Sequence, residues 1–255
     1  MDQRIKAKTL GILEPELYFH KNVTISFDVL DHDPDADFNV MLQMEPPAIL
    51  DITQAIIDHQ NVFDLILAWN EEVLEKCENS VFLPFGTCWI DEHDQAIHAK
   101  TKLLSVIASE KKDTKGHKLR HKIIAIDKAL DSRDVYGRGY SPIENKITAL
   151  KDYMFSVVIE NSTPKNYFTE KTIDCLATGT VPVFWGCENI EDFFDIRGFV
   201  FFKSAKEYKK IRPTLTAETY NQMLPYIKKN FELSLKYTNY LDRVEAEINK
   251  IIQSV

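Results

Sequence analysis

One stretch leaves this chain few choices of fold. An apolar run from Met154 to Ile159 stops at Glu160-Asn161, passes through Ser162, Thr163, Pro164, Lys165 and Asn166, and restarts as a helix with Thr169 at its N-cap. The helix, Glu170 to Thr178, ends on Gly179, and a second apolar run, Val181 to Trp185, follows at once before Gly186. Strand, loop, helix and strand in that order make a βαβ unit, which has to be buried in a parallel sheet.

In such a unit the loop after the first strand and the start of the helix meet at the carboxyl edge of the sheet. Free N–H groups and the helix dipole favour an anion there. Lys171 adds a full positive charge in the helix's first turn. Glu160 and Glu170 offer acceptors to sugar or ribose hydroxyls, and Tyr167 offers a ring to a base or ribose. By composition this is a pocket for a nucleoside diphosphate; the plain alternative is a buried βαβ with an exposed Glu-Lys pair.

The rest of the chain repeats the alternation. Val23 to Val29 and Phe38 to Met44 read as strands, Ile49 to His59 as helix and Phe63 to Ala68 as strand. Glu71 to Lys76 reads as a short helix and Ser80 to Leu83 as strand. Glu45-Pro46-Pro47 ends the second strand, because two prolines forbid further ladder pairing, and it projects Glu45 from a strand's carboxyl end. Asp91 to Ala99 is polar and aperiodic, which suggests a linker. Leu103 to Ala108 then opens a second half as a strand, and Leu119, Ile123, Ile126 and Leu130 share one face of a helix that carries Arg120 near its start. The lysines around Arg120 are, on the plain reading, a solvated helical face. After Phe202 the chain reads as helix from Ala205 to Lys210 and from Ala217 to the end, with Pro213 and Pro225 as punctuation.

Composition narrows the function. A net charge of −8 argues against general nucleic-acid binding, so any phosphate site has to be local. No apolar run approaches a membrane span, and the first residues have neither a signal-peptide core nor an anchor, which points to a cytoplasmic chain. Cys77, Cys88, Cys175 and Cys187 lack metal or disulfide spacing and read as reduced packing residues. His117 and His121 stand four apart with no acidic residue between them to resemble a zincin. The acidic run Asp33 to Asp37 reads as a solvated turn, with an Asp-x-Asp metal clamp as the alternative.

The order Phe-x-x-x-x-Glu-Asn-Ser, then Tyr-x-Thr-Glu-Lys, then Gly-Thr-Val-Pro-Val-x-x-Gly and Glu-Asp-Phe, across Tyr153 to Phe202, resembles the donor-binding motif of the family ten glycosyltransferases, the α-1,3-fucosyltransferases. Met44-Glu45-Pro46-Pro47 and Val81 to Gly86 resemble the family's acceptor half, where Glu-Ser-Pro and Val-Pro-Tyr-Gly stand; Pro46 departs from that pattern and Glu45 keeps its place. Ala108-Ser109-Glu110, a spacer and Arg120 resemble the segment Ser-Asn, spacer, Arg. Asp134 to Gly139 is similar to the family's next strand and Gly-rich turn.

The resemblance implies an α/β fold of the GT-B kind, with two Rossmann-like βαβ domains facing a cleft. They would be an acceptor side over residues 1–100 and a donor domain with C-terminal helices over 101–255. It implies inverting transfer of a sugar, L-fucose from GDP-fucose, onto a glycan hydroxyl. Glu45 would be the base. Arg120 and Lys171 would stand against the diphosphate, Glu170 and Tyr167 against ribose or base, and Glu160 and Asn161 against sugar and phosphate. Two cations and a helix end oppose the diphosphate, so no metal and no cofactor beyond the donor is expected. A metal-dependent glycosyltransferase with another nucleotide-sugar donor, using Asp33 to Asp37, and a non-catalytic nucleotide- or glycan-binding module are the alternatives.

Overall fold

The apolar runs become two five-stranded sheets, and every pairing within each is parallel. The computed structural model describes residues 4–11, 13–127 and 134–254. The chain splits into two units, Met1–Phe85 with Asn239–Val255, and Gly86–Thr238.

In the first unit, β1 (Ile5–Lys6) pairs antiparallel with β3 (Tyr18–Phe19). The sheet consists of β2 (Lys8–Gly11), β4 (Val23–Phe27), β5 (Phe38–Leu42), β6 (Leu65–Ala68) and β7 (Ser80–Phe82), side by side in chain order. Alternation along the strands separates two apolar layers. Val40, Leu42, Leu65 and Leu67 enter one cluster. Met41, Ile66 and Ala68 enter the other, with Ile56 from α1 (Thr53–Asp58) and Val73 from α2 (Glu71–Lys76).

The second unit runs β8 (Lys102–Ile107), α3 (Lys115–Ile126), β9 (Val135–Tyr136), β10 (Tyr153–Ile159), α4 (Glu170–Ala177), β11 (Val181–Trp185), β12 (Val200–Phe201), α5 (Ala205–Ile211) and α6 (Ala217–Ser234). Its strand order is β12-β11-β10-β8-β9. The chain moves outward from β8 to β9, then crosses back to place β10 on the other side of β8. The direction of winding therefore reverses between β8 and β10, and such a reversal opens a crevice at the carboxyl ends of the two strands.

The structure moves several boundaries. The sequence pattern predicts a division near residue 100, with the C-terminal helices in the second half. The units instead change at Phe85/Gly86, and α7 (Tyr240–Ser254) belongs with the first. Tyr240, Val244 and Ile248, one apolar stripe of α7, fill the layer over β4, β5 and β6, which those strands leave open on one face. The helical stretch expected from Ala217 to the end is two helices, and the break falls at residues 235–239 rather than at Pro225, which α6 accommodates. Residues 91–99 lie inside the second unit, where His98 and Lys100 bond to the end of α4 through Thr178 O, so they are not a linker between units. Strand β2 carries little apolar signal in the sequence, with four residues that include a lysine and a terminal glycine. Helix α1 begins at Thr53, not Ile49. Leu130 lies outside the described residues. Among the described residues no helix is long and apolar enough to cross a membrane.

Candidate active site

The site grows from the carboxyl end of β10. Its next residue, Glu160, is fully buried, and its carboxylate accepts from Thr169 N–H at 3.0 Å, Thr169 Oγ1 at 2.7 Å and Thr172 Oγ1 at 2.8 Å. A carboxylate at a helix N-terminus satisfies orphan donors and the positive dipole end together. Thr169 is the N-cap of α4, as its sequence position predicts, and its hydroxyl accepts from Lys171 N–H. Glu160 therefore ties strand to helix and is spent doing so.

Helix α3 is drawn against the same strand end. Gly116 stands in its first turn because a Cβ there would come within 1.9 Å of Glu160 O, a contact no side chain tolerates. Thr114 caps α3 through a reciprocal box. Its hydroxyl accepts from His117 N–H, and its own N–H donates to His117 Nδ1 at 3.3 Å. Because a backbone N–H can only donate, Nδ1 is the acceptor, so the neutral ring carries its proton on Nε2. Burial, with Arg120 nearby, lowers the His117 pKa and keeps the ring neutral. One turn on, Arg120 is 5% exposed and donates from Nη2 to Ile159 O at 2.6 Å.

Between these elements lies a cavity of about 650 Å³, inside the second unit and at the reversal between β8 and β10. Its walls carry five cations, Lys111, Arg120, Arg138, Lys146 and Lys171, against three carboxylates, Glu110, Glu170 and Asp174. A chain with net charge −8 thus keeps a cationic excess at one place. Gly137, in the turn after β9, has φ 112° and passes so close to Ala108 O that a Cβ would lie 2.1 Å from it.

Charges along the cavity form a chain. Lys171 Nζ lies 3.1 Å from Glu170 Oε1 and 3.8 Å from Glu160 Oε2. Lys146 Nζ lies 3.4 Å from the same Glu170 oxygen and 2.8 Å from Asp174 Oδ2. Burial alone would raise the Glu170 pKa, but Lys171 and Lys146 outweigh it and hold it down to about 2. Burial would likewise lower Lys171, and Glu170 and Glu160 reverse the direction. Burial raises Asp174, against the pull of Lys146.

Of the residues singled out from sequence, Arg120, Asn161, Glu170 and Lys171 line the cavity. Glu160, expected against sugar and phosphate, is not in the lining, and its oxygens serve the α4 cap. Tyr167 is 1% exposed and absent from the lining, so its ring presents no face to a base. Glu45 belongs to the first unit, half-buried at the end of β5, with its N–H donating to Asp28 Oδ2 at 3.1 Å. The two histidines do not converge: His121 Nδ1 meets Tyr140 Oη and its Nε2 meets Lys111 O. In the acidic run, Asp33 pairs with Lys8 at 2.9 Å and Asp37 accepts from Asn22 N–H. Sequence reasoning missed Trp89, Lys146 and Asp174. For Asp174 a signal existed, its spacing of four from Glu170 on one helix face.

Residues 97–251, more than half the chain, match the model described as glycosyltransferase family 10 (fucosyltransferase), C-terminal. The chain belongs to glycosyltransferase family 10. Among curated family relatives, the α-(1,3)-fucosyltransferase FucT of Helicobacter pylori is 28% identical over 114 residues, covering 43% of this chain and 21% of that protein. The 3-galactosyl-N-acetylglucosaminide 4-α-L-fucosyltransferase FUT3 of Bos taurus is 26% identical over 185 residues, covering 67% of this chain and 48% of that one. This family member therefore spans less than half the length of either relative. A solved α1,3-fucosyltransferase structure with GDP-fucose superposes with a TM-score of 0.53 at 16% identity, over 88% of this chain and 77% of that one. The family 10 chain thus has the GT-B-like α/β fold, built from two Rossmann-like units.

Proposed function

We propose that this family 10 protein transfers L-fucose from GDP-fucose to a hydroxyl of a glycan, with inversion at the anomeric carbon. The observation that carries the reading is the cationic cavity at the sheet's winding reversal, where Arg120 and Lys171 stand among carboxylates able to accept from sugar hydroxyls. Family membership and a neighbouring fold solved with GDP-fucose support the choice of donor.

In this mechanism Glu45 takes the proton of the acceptor hydroxyl as its oxygen attacks the anomeric carbon, and the bond to the diphosphate oxygen breaks. Arg120 and Lys171 stabilise the charge that develops on the departing GDP, and the Nε2–H of His117 adds a neutral donor on the same wall. Glu170 accepts from ribose hydroxyls. Asn161, next to the strand end, offers an amide to sugar or phosphate. The chemistry needs no metal, and transfer is expected to survive EDTA; loss of activity in the chelator would return attention to Asp33 to Asp37.

A thermal-shift panel of GDP, UDP, CMP and their sugars tests the donor. GDP at one hundred times its dissociation constant adds about 2.7 kcal/mol to stability. GDP is expected to stabilise the protein and UDP not; stabilisation by UDP alone would sink the GDP-fucose reading.

A further inference from the structure

Trp89 is 61% exposed, while the next residue, Ile90, is 3% exposed. The exposure is not that of a loose loop. Trp89 N–H donates to Asp174 Oδ1 at 2.6 Å, Cys88 N–H donates to Thr238 O at 3.0 Å, and Ile90 packs with Ile147 and Leu150. Lys146 Nζ lies 4.0 Å from the ring centroid and is itself held by Asp174 and Glu170. The indole is thus ordered in advance, and a ring laid against it loses little further freedom on either side. It lines the cavity, and among the described lining residues it alone carries a large aromatic face.

The order of groups along the wall gives the ligand's orientation. Glu170 Oε1 sits between two ammonium groups, Lys171 at 3.1 Å toward the α4 N-terminus and Lys146 at 3.4 Å toward Trp89. A nucleoside diphosphate presents phosphate, ribose diol and base in sequence. Lys171, the Glu170 carboxylate and the Trp89 plane follow in the same sequence here, with Lys146 bridging the carboxylate and the ring. We infer that Trp89 is the platform on which the nucleobase of the donor stacks, the place the buried Tyr167 cannot fill. This rests on the nucleotide-sugar reading of the cavity.

The test compares GDP with inorganic pyrophosphate, which has no base, on wild type, Trp89→Phe, Trp89→Ala and Arg120→Ala. Trp89→Ala is expected to weaken GDP about tenfold or more while leaving pyrophosphate unchanged, and Trp89→Phe to keep most of the affinity. Arg120→Ala should weaken both ligands. GDP should also quench indole fluorescence in wild type and much less in Trp89→Phe, since Trp69 is only 1% exposed and Trp185 does not line the cavity. Equal GDP affinity in Trp89→Ala and wild type overturns the platform and leaves the nucleotide site standing. Equal losses for GDP and pyrophosphate overturn it as well, making Trp89 a support of the cavity wall. A change confined to the acceptor's KM would make the ring a sugar surface instead, and failure of wild type to bind GDP removes site and platform together.

Discussion

Each unit holds a sheet of five parallel strands, and in each a glutamate stands just past a central strand, in different surroundings. In Gly86–Thr238, Glu160 follows β10, is fully buried and accepts three hydrogen bonds that fix the start of α4. In the first unit, Glu45 stands just past β5 and is half-buried, and its backbone N–H is held by the carboxylate of Asp28. Asp28 sits at the end of β4 with φ 55°, and its carboxylate accepts from Met44 N–H at 2.8 Å and Glu45 N–H at 3.1 Å. Burial raises the Asp28 pKa against those bonds. The strand orders also differ. The second sheet reverses its winding between β8 and β10 and has a cavity there, whereas the first runs in chain order. A carboxylate at a strand end therefore says where chemistry can sit; whether it is available depends on what packs over it.

The contrast breaks most directly at Glu160. Glu160→Ala is expected to cost about 3 to 5 kcal/mol of stability, read by denaturant unfolding, because it orphans buried donors at the α4 N-terminus and leaves Lys171 and Arg120 with less opposing charge. A stable variant with only weaker GDP binding would make Glu160 a ligand contact after all. Next in size, Arg120→Ala should weaken GDP binding by about 2 to 4 kcal/mol with the fold retained, as titration calorimetry and a thermal melt would show. Unchanged affinity would detach the cavity's charge from nucleotide binding.

Glu45→Gln sharpens the other side. Transfer should fall by about 10²-fold or more, within the range of general-base catalysis, while GDP affinity holds, because the residue belongs to the other unit. Full transfer activity would make Glu45 a strand-end surface group. The smallest effect at ordinary pH concerns Glu170. Its folded pKa of about 2 lies below its ordinary 4.5, so its contribution to stability is present above pH 4.5 and is lost as the pH falls toward 2. Following the Glu170 carboxyl by NMR through an acid titration checks this; a midpoint at or above 4.5 would mean that Lys146 and Lys171 do not hold it.

Local sequence was enough for the βαβ unit around residues 153–185, the bounds of α2 and β11 and the N-cap at Thr169, whereas Arg120, expected near the start of its helix, lies mid-way along α3. The unit, the bounds and the cap follow from local causes: periodicity, caps and breakers act on residues close along the chain, and a strand or helix start reads the same before and after packing. Tertiary structure decided that α7 covers the first unit's sheet, that Glu160 is spent on a cap, that Tyr167 is buried, and that Lys146, Asp174 and Trp89 meet beside Glu170. Trp89 and Asp174 are 85 residues apart in the chain. Trp89 lies ahead of β8, and it meets Asp174 where residues 88–90 are held by Thr238, Ile147 and Leu150. A side chain's burial and pairing depend on whatever the fold lays against it, and that neighbour need not be near it in sequence.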